Sequence, residues 1–412
     1  MTPTRRWLVL ALVCLGIVIA YVDRGNLSIA APSIMRDFAI EPPAMGVLLS
    51  AFFWTYALFQ IPAGAIIDRF GIRRAYAGGF LLWSLASASI ALSRGPGHVI
   101  GMRMLLGVAE SIAPLASLAF IRNNFAGKDR GLPTSLYIGG QSLGPAFGAL
   151  VGAMLLDRFG WRMMFALTGL GALAWLPCWW FAVPRDAAPA RHAPEKQRVA
   201  TFPWREIVNG KTFWMLSLGI LLSSYYWYFV LTWVPSYLIL ARGFTTLGMG
   251  HVVSTGLFAM AAANLASGFV ADRLAARAEV FRVRLWFAVA GYVASALVLL
   301  LLVLTERAWV LPVLMFSMCA TGTGNYSFWA IAGHVAPSKM AGRVIGYLNT
   351  LGATGGIVAP VVTGWILGPQ KHFGPAILVA GVCPILAALC LVVCGSKGLE
   401  RTRALLAGSA TD

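Results

Sequence analysis

The segment GAIIDRFGIRR, residues 64–74, follows a run of apolar residues and returns in a weaker form as GFVADRLAARAE, residues 268–279. Both copies place the pattern Gly-x-x-x-Asp-Arg at the end of an apolar stretch. A signature that is duplicated at equivalent places predicts a chain made of two related halves.

The composition predicts that both halves lie in a membrane. Of the 412 residues, 59% are hydrophobic and 11% are charged, about half the charged fraction of an average soluble domain. Windows of roughly 20 apolar residues, the length that crosses a bilayer as a helix, recur along the whole chain. We expect an all-α membrane protein with twelve transmembrane helices in two pseudo-symmetric six-helix bundles. The predicted limits are 1–183 and 212–394 for the bundles, 184–211 for a cytoplasmic linker and 395–412 for a cytoplasmic tail.

The distribution of basic residues predicts the orientation. The N-terminus, the even-numbered connections and the C-terminus together contain 23 of the 32 lysines and arginines. By the positive-inside rule both termini are cytoplasmic, in the plasma (inner) membrane. The net charge of +17 then reflects topology and contact with anionic lipid, and it does not indicate nucleic acid as a partner.

Four charged residues lie within apolar spans and away from the span ends: Asp23, Arg24, Arg103 and Glu110. Each costs about 2.5–3.5 kcal/mol at the centre of a membrane helix, so a purely structural protein is not expected to retain them. Two acids and two bases sum to zero charge. They therefore indicate mutual neutralisation around a cavity that contains water.

Helical geometry predicts how these charges point. Adjacent residues on a helix diverge by about 100°, so we expect Asp23 and Arg24 to have partners on other helices. Tyr21, Arg24 and Ser28 share one face and together suit a carboxylate ligand. Arg103 and Glu110 share a face of the fourth span but lie two turns, about 10 Å, apart, with Gly107 between them expected to open space.

The duplicated signature and the span count resemble the major facilitator superfamily over the whole chain. In that family the signature forms a cytoplasmic gate, where glycine allows close helix packing and the aspartate faces the N-terminal end of a helix from the other half. The resemblance implies a gate formed by Gly64, Asp68, Arg69, Arg73, Asp272 and Arg273.

Three further motifs resemble the anion:cation symporter family within that superfamily: YVDRGNLSIA (21–30), RMLLGVAES (103–111), and TFWMLSLG with YFVLTWVPSYL (212–219 and 228–238). The resemblance implies proton coupling at Asp23 and Glu110, and binding of a substrate carboxylate at Arg24. The remaining positions that match the substrate cavity are Tyr21, Tyr56, Arg103, Gln141, Trp329 and Asn349.

These residues predict a carrier that moves an organic anion together with protons by alternating access. In this hypothesis a proton from outside neutralises Glu110 and weakens its contact with Arg103, while the anion binds Arg24. No cofactor or metal is implied, and we expect the protein to function as a monomer. The substrate class stays open between a sugar acid and a short or aromatic acid, because NYSFWA (325–330) and YYWY (225–228) place aromatic residues near the expected cavity.

Other classes explain the sequence less well. The fifth span contains GGQSLGPAFGALVG, which is similar to the Gly-Pro motif of drug/proton antiporters, but Arg24 and Arg103 do not suit a cationic drug. A membrane enzyme is disfavoured because no Ser/His/Asp arrangement, HExxH motif or pair of catalytic aspartates is present. A channel or receptor does not need matched acids and bases or a duplicated gate.

Overall fold

The computed structural model describes residues 1–126, 129–184, 210–335 and 341–408, and within these ranges the regular secondary structure is entirely helical. The helices are α1 (Pro3–Asp37), α2 (Pro42–Ser89), α3 (Pro96–Glu110), α4 (Ile112–Asn124), α5 (Gly131–Ala172), α6 (Trp175–Ala182), α7 (Lys211–Leu240), α8 (Thr246–Ala275), α9 (Val280–Leu301), α10 (Val310–Val335), α11 (Ala341–Leu367) and α12 (Phe373–Gly408). The predicted all-α fold class is confirmed. Most of the predicted linker at 184–211 lies outside the described residues.

Two of these helices each contain two passes across the predicted membrane. The backbone leaves the helical conformation at Gly71 in α2 (φ 77°) and at Gly160 in α5 (φ 76°). Positive φ is accessible to glycine because it has no Cβ. When α2 and α5 are divided at these glycines, α3 is joined to α4, and the second part of α5 is joined to α6, the described residues form six passes before the linker and six after it.

The lengths and hydropathies of the helices fit this count. Among the described residues, nine helical segments are long and apolar enough to cross a membrane, and two of them, of 51 and 52 residues, contain Gly71 and Gly160. Helix α10 is not among the nine because its second half contains the polar and small residues TGTGNYS.

The contacts divide the chain into two compact units. The first unit contains the described part of 1–191 together with Leu231–Ser254 and Pro360–Lys371, and the second contains the other described residues. This division does not follow the order of the chain, so it does not test the predicted limits of the two bundles. Those limits stay a prediction.

A stripe of glycines brings α5 close to α1 within the first unit. Gly140, Gly144, Gly148 and Gly152 recur every four residues, and a Cβ at each would lie within 3.0 Å of an atom of α1. Such stripes allow helix backbones to approach closely in membranes. The segment that resembles the antiporter motif therefore forms a packing surface against the mainly apolar side of α1 that contains Ile17, Val22 and Ile29.

Candidate functional site

The centre of the site is an ion pair between α1 and α3. Arg24 Nε donates to Glu110 Oε2 at 2.7 Å, and the two side chains are 14% and 0% exposed. The prediction that Arg24 has its partner on another helix is confirmed. The hydrogen bonds of the described residues include none from the two Nη atoms of Arg24, and the Tyr21 hydroxyl also interacts with this guanidinium.

Three aromatic rings surround the Arg24 guanidinium. Its Cζ lies 4.6 Å from the ring centroid of Tyr21, 4.6 Å from that of Tyr56 and 4.9 Å from that of Phe52. Phe52 and Tyr56 stack on each other with centroids 5.1 Å apart. Rings at these distances stabilise a cation and fix its position. The sequence prediction included both tyrosines but missed Phe52, which lies one helical turn before Tyr56.

Arg103 holds the main chain of α1. Its Nη1 donates to the carbonyl of Asp23 at 3.2 Å and its Nη2 to the carbonyl of Arg24 at 3.4 Å. The predicted contact of Arg103 with Glu110 is wrong, because the carboxylate pairs with Arg24. The physical reason is the two-turn separation along the fourth span, which exceeds the reach of a direct ion pair.

Gly107 also differs from its expected role. A Cβ at this position would overlap the Phe52 carbonyl oxygen and Thr55 Oγ1. Thr55 in turn donates to the carbonyl of Met104 at 2.6 Å. Gly107 therefore allows α2 to pack closely against α3 and does not open a cavity.

Asp23 points away from Arg24 into the helix bundle, as the angle between adjacent residues predicts. Its Oδ1 accepts hydrogen bonds from Ser87 Oγ at 3.0 Å and from Asn26 Nδ2 at 3.4 Å. Asn26 Nδ2 also donates to Thr168 Oγ1 at 3.0 Å. Asp23 is 1% exposed, and its Oδ2 is buried without a hydrogen bond from any described residue. Sequence reasoning missed Asn26, Ser87 and Thr168, although polar residues inside apolar helices were the available signal.

The remaining predicted cavity residues lie at several places. Gln141 on α5 donates to the hydroxyl of Tyr137 at 2.9 Å. Trp329 on α10 and Asn349 on α11 belong to the second unit and are exposed. Ser28 is buried and donates to the Gly25 carbonyl of its own helix, so it does not contribute a hydroxyl to the Arg24 face as predicted.

The first copy of the repeated signature is largely exposed. A Cβ on Gly64 would have no atom of the described residues within 4 Å. Asp68 and Arg69 are exposed, and Arg69 stacks on Phe70 at 5.3 Å. Arg73 donates to the Trp180 carbonyl at 2.6 Å.

The second copy has different surroundings. Asp272 forms an ion pair with the buried Arg284 of α9, and Arg273 lies over the ring of Phe269 at 3.9 Å. Gly268 packs against Tyr326, and a Cβ on this glycine would lie 2.7 Å from the ring. The gate role of both copies stays a prediction.

Two of the aromatic residues that suggested an aromatic substrate are in the packed core. Phe328 is 0% exposed, and Tyr226 is 1% exposed with its hydroxyl 2.6 Å from Ser317 Oγ. Tyr326 packs against Gly268 and lies 5.3 Å from Arg284. The expectation that Phe328 and Tyr226 contribute apolar walls to a cavity is therefore wrong, because helix rotation turns both into the bundle.

The chain contains two sets of six helical passes, and the first set contains buried charged residues that pair with each other. These features are typical of an integral membrane protein of the transporter type. The chain belongs to the Major Facilitator Superfamily, whose family model matches residues 13–360. The family and the relatives below are transporters, so the protein is not an enzyme.

The sequence relatives extend over nearly the whole chain. The D-galactonate transporter of Escherichia coli O6:H1 is 27% identical, over 94% of this chain and 95% of its own length. The hexuronate transporter of Bacillus subtilis is 26% identical, over 91% of each chain. A chloroplast sodium-dependent phosphate transport protein of Arabidopsis thaliana is 26% identical, over 88% of this chain and 74% of its own length. The predicted resemblance to the anion:cation symporter family is confirmed.

Among solved structures, a bacterial homologue of the human lysosomal transporter Spinster, in its inward-facing and unoccupied conformation, superposes with a TM-score of 0.74. The two chains are 16% identical, and the match covers 99% of each. At this identity the likeness shows the fold alone.

Proposed function

We propose that this protein is a proton-coupled symporter of an organic anion that carries a carboxylate, and that the anion is a sugar acid. It works by alternating access in the plasma membrane, as a monomer, with both termini in the cytoplasm. The names of the sequence relatives support an acidic sugar or another small anion as the substrate. The ion network of α1 and α3 supports coupling to protons.

The observation that carries this proposal is the set of contacts that the Arg24 guanidinium makes. Its Nε is paired with Glu110, no described carboxylate or carbonyl accepts a hydrogen bond from its Nη fork, and the side chain is 14% exposed. A free guanidinium fork binds a carboxylate through two parallel hydrogen bonds. The three surrounding rings hold the guanidinium in place, so little side-chain entropy is lost when the anion binds.

The ion pair explains why protons and anion travel together. When the substrate carboxylate binds the Nη fork, it shares one guanidinium with the Glu110 carboxylate. Two negative charges at this distance repel each other, and the repulsion is strong in a poorly solvated site. A proton on Glu110 removes the repulsion. Substrate binding and protonation of Glu110 therefore favour each other.

Asp23 supplies a second proton site behind the binding face. Its carboxylate is connected to the binding site through the α1 main chain, whose carbonyls accept hydrogen bonds from Arg103. A change in the charge of Asp23 alters the local field on Arg103 and on the main chain that carries Arg24. Release of protons from Asp23 and Glu110 on the cytoplasmic side then weakens the hold on the anion and resets the carrier.

The names of the relatives favour a sugar acid over an aromatic acid, and the packing removes two of the aromatic side chains that had suggested the latter. Phe328 and Tyr226 are buried, so they do not contribute flat apolar walls. Tyr21 and Tyr56 present phenol groups beside Arg24, and Gln141 adds an amide on α5 of the same unit. Such groups suit the hydroxyls of a polyhydroxylated carboxylate.

Uptake into proteoliposomes tests the proposal. D-galactonate, D-glucuronate and galactarate serve as sugar-acid probes, benzoate as the aromatic acid and a lipophilic drug cation as the control. We expect uptake of at least one sugar acid to rise with an inward proton gradient and to be lost in Arg24→Ala. Uptake that does not depend on the proton gradient would refute symport. Outward transport of the cation that continues in Arg24→Ala would also refute it.

A further inference from the structure

The first unit has an open surface groove of about 350 Å³ between the two passes of α2 and the junction of α3 with α4. Most of its lining side chains are apolar, and they include Phe59, Ile66, Phe70, Leu82 and Ile112. Arg74 is the charged residue of the lining. We call this the Arg74 groove. Neither Arg24 nor Glu110 lines it, so it is a different site from the one described above.

A missing side chain on α2 leaves room in the groove. A Cβ on Gly78 would have no atom of the described residues within 4 Å, and this glycine is exposed. The neighbouring position is closed, because a Cβ on Gly79 would lie 2.9 Å from the Ala109 carbonyl oxygen and 3.2 Å from Ile112 Cδ1. Gly79 therefore packs α2 against α3 and α4, whereas a side chain at position 78 would enter the groove.

The length of the groove matches one leaflet of a bilayer. From Phe70 to Phe59 the helix rises about 16 Å, at about 1.5 Å per residue, and half of a hydrocarbon core of about 30 Å is about 15 Å. The charge distribution of the chain predicts that the Arg74 end is cytoplasmic. Phe59, Phe70 and Leu82 are 37%, 50% and 40% exposed, so a molecule in the surrounding membrane contacts them.

The cytoplasmic end of the groove carries positive charge that its surroundings do not neutralise. Arg74 is exposed, and no described residue forms a hydrogen bond, an ion pair or a ring contact with its guanidinium. The segment 68–74 contains three arginines and one aspartate, which gives it a net charge of +2. Such a segment attracts the anionic headgroups of the cytoplasmic leaflet, and a guanidinium with open donors binds phosphate through its fork.

We propose that the Arg74 groove binds an anionic phospholipid of the cytoplasmic leaflet. The headgroup phosphate accepts hydrogen bonds from the Arg74 guanidinium, and one acyl chain lies along the groove towards Leu82 and Phe59. The positive end selects a lipid with a net negative charge, and the apolar lining selects a lipid over a soluble anion. This site goes beyond the proposed function and does not depend on it.

The inner end of the groove touches the segment that carries Glu110. Its lining there comes from both sides of this residue, namely Val108, Ala109, Ser111 and Ile112. The Ser111 hydroxyl donates to the Val108 carbonyl at 2.7 Å and to the Phe59 carbonyl at 3.3 Å, so it ties α2 to the junction of α3 with α4. An acyl chain in the groove therefore packs on this junction and shields it from water.

Lipid retention by the purified full-length protein tests the site without any transport substrate. The protein is equilibrated with micelles that contain phosphatidylglycerol and phosphatidylcholine in equal amounts, and native mass spectrometry counts the bound molecules of each. Arg74→Gln removes the charge, and Arg277→Gln, at an exposed arginine in the second copy of the repeated signature, is its matched control. We expect the apparent Kd for phosphatidylglycerol to rise about fivefold in Arg74→Gln and to stay within about twofold of the wild type in Arg277→Gln.

A second pair of variants tests the position of the acyl chain. Gly78→Leu places a side chain in the groove, while Gly101→Leu adds the same side chain at a glycine of α3 that does not line the groove and whose Cβ also meets nothing within 4 Å. We expect Gly78→Leu to raise the Kd for phosphatidylglycerol about tenfold although Arg74 is intact, and Gly101→Leu to stay within about twofold of the wild type.

Thermal unfolding in detergent gives a second readout. A ligand that binds only the folded protein stabilises it, so phosphatidylglycerol should raise the Tm of the wild type and of Gly101→Leu more than an equal amount of phosphatidylcholine does. This difference between the two lipids should disappear in Gly78→Leu and in Arg74→Gln.

Equal retention of phosphatidylglycerol and phosphatidylcholine by the wild type would overturn the inference. Unchanged retention of phosphatidylglycerol in both Arg74→Gln and Gly78→Leu would place the lipid elsewhere on the protein. Displacement of the lipid by an equal concentration of soluble glycerol phosphate would show a headgroup site that needs no groove. If the protein forms a dimer that releases the lipid, the groove belongs to a second copy of the chain.

Discussion

Replacement of Glu110 by glutamine removes one negative charge from the Arg24 pair while keeping the size of the side chain. The wild-type carboxylate lies 2.7 Å from Arg24 Nε. A substrate carboxylate that binds the Nη fork of the same guanidinium lies about 5 Å from the Glu110 carboxylate. With an effective dielectric constant of about 20, the repulsion between the two carboxylates is about 3 kcal/mol, or on the order of 100-fold in Kd.

The sign of the effect follows from this repulsion. In the wild type the Kd for the anion falls as the pH falls, because protonation of Glu110 removes the repulsion. In Glu110→Gln the Kd should lose most of its dependence on pH and lie close to the low-pH value of the wild type, and the dependence that remains belongs to Asp23. Exchange of labelled for unlabelled substrate should continue, whereas accumulation driven by the proton gradient should be lost.

Isothermal titration calorimetry between pH 5 and pH 9 measures the Kd, with D-galactonate as the ligand, and proteoliposomes measure exchange and accumulation. Glu110→Asp is the matched control, because it keeps the charge with one methylene fewer and should keep the pH dependence. If Glu110→Gln binds with the same pH dependence as the wild type, or still accumulates substrate, proton coupling does not occur at the Arg24 pair.

Three other substitutions test the surroundings of the pair. Arg24→Lys keeps the charge but loses the fork, so gradient-driven uptake should fall at least about tenfold; uptake equal to the wild type would contradict fork binding. Phe52→Leu removes one ring from the cation and should raise KM a few-fold, by about 1 kcal/mol, while Phe52→Tyr stays close to the wild type. Gly107→Ala should lower the Tm in detergent, because it overpacks the α2–α3 contact by about 1–3 kcal/mol; Gly101→Ala, whose Cβ meets nothing within 4 Å, should not.

Several features of the site followed from the sequence because they depend only on helix geometry. Asp23 and Arg24 diverge, as adjacent helical residues must, and each has partners on other helices. The seven-residue spacing of Arg103 and Glu110 also placed both on one side of α3. Tyr21 was correctly assigned to the Arg24 face, because three residues separate it from Arg24.

Other features depended on how the helices rotate and how closely they approach. Phe52 was missed because its ring reaches Arg24 and Arg103 only when α2 packs against α3 at Gly107. The apolar run that contains Phe328 gives no information about which side faces a cavity, so its burial was not predictable. Asn26 is one polar residue in an apolar span, and only the packing of α5 against α1 makes it join Asp23 to Thr168.

The sequence by itself determined the membrane class, the family, the helical passes and the four buried charges, since apolar length and charge placement are local properties that the bilayer selects. Only the tertiary structure decided which charges meet. Glu110 pairs with Arg24 on a neighbouring helix and not with Arg103 on its own, because two helical turns separate the latter pair while the long Arg24 side chain extends from α1 and brings its Nε within 2.7 Å of the carboxylate.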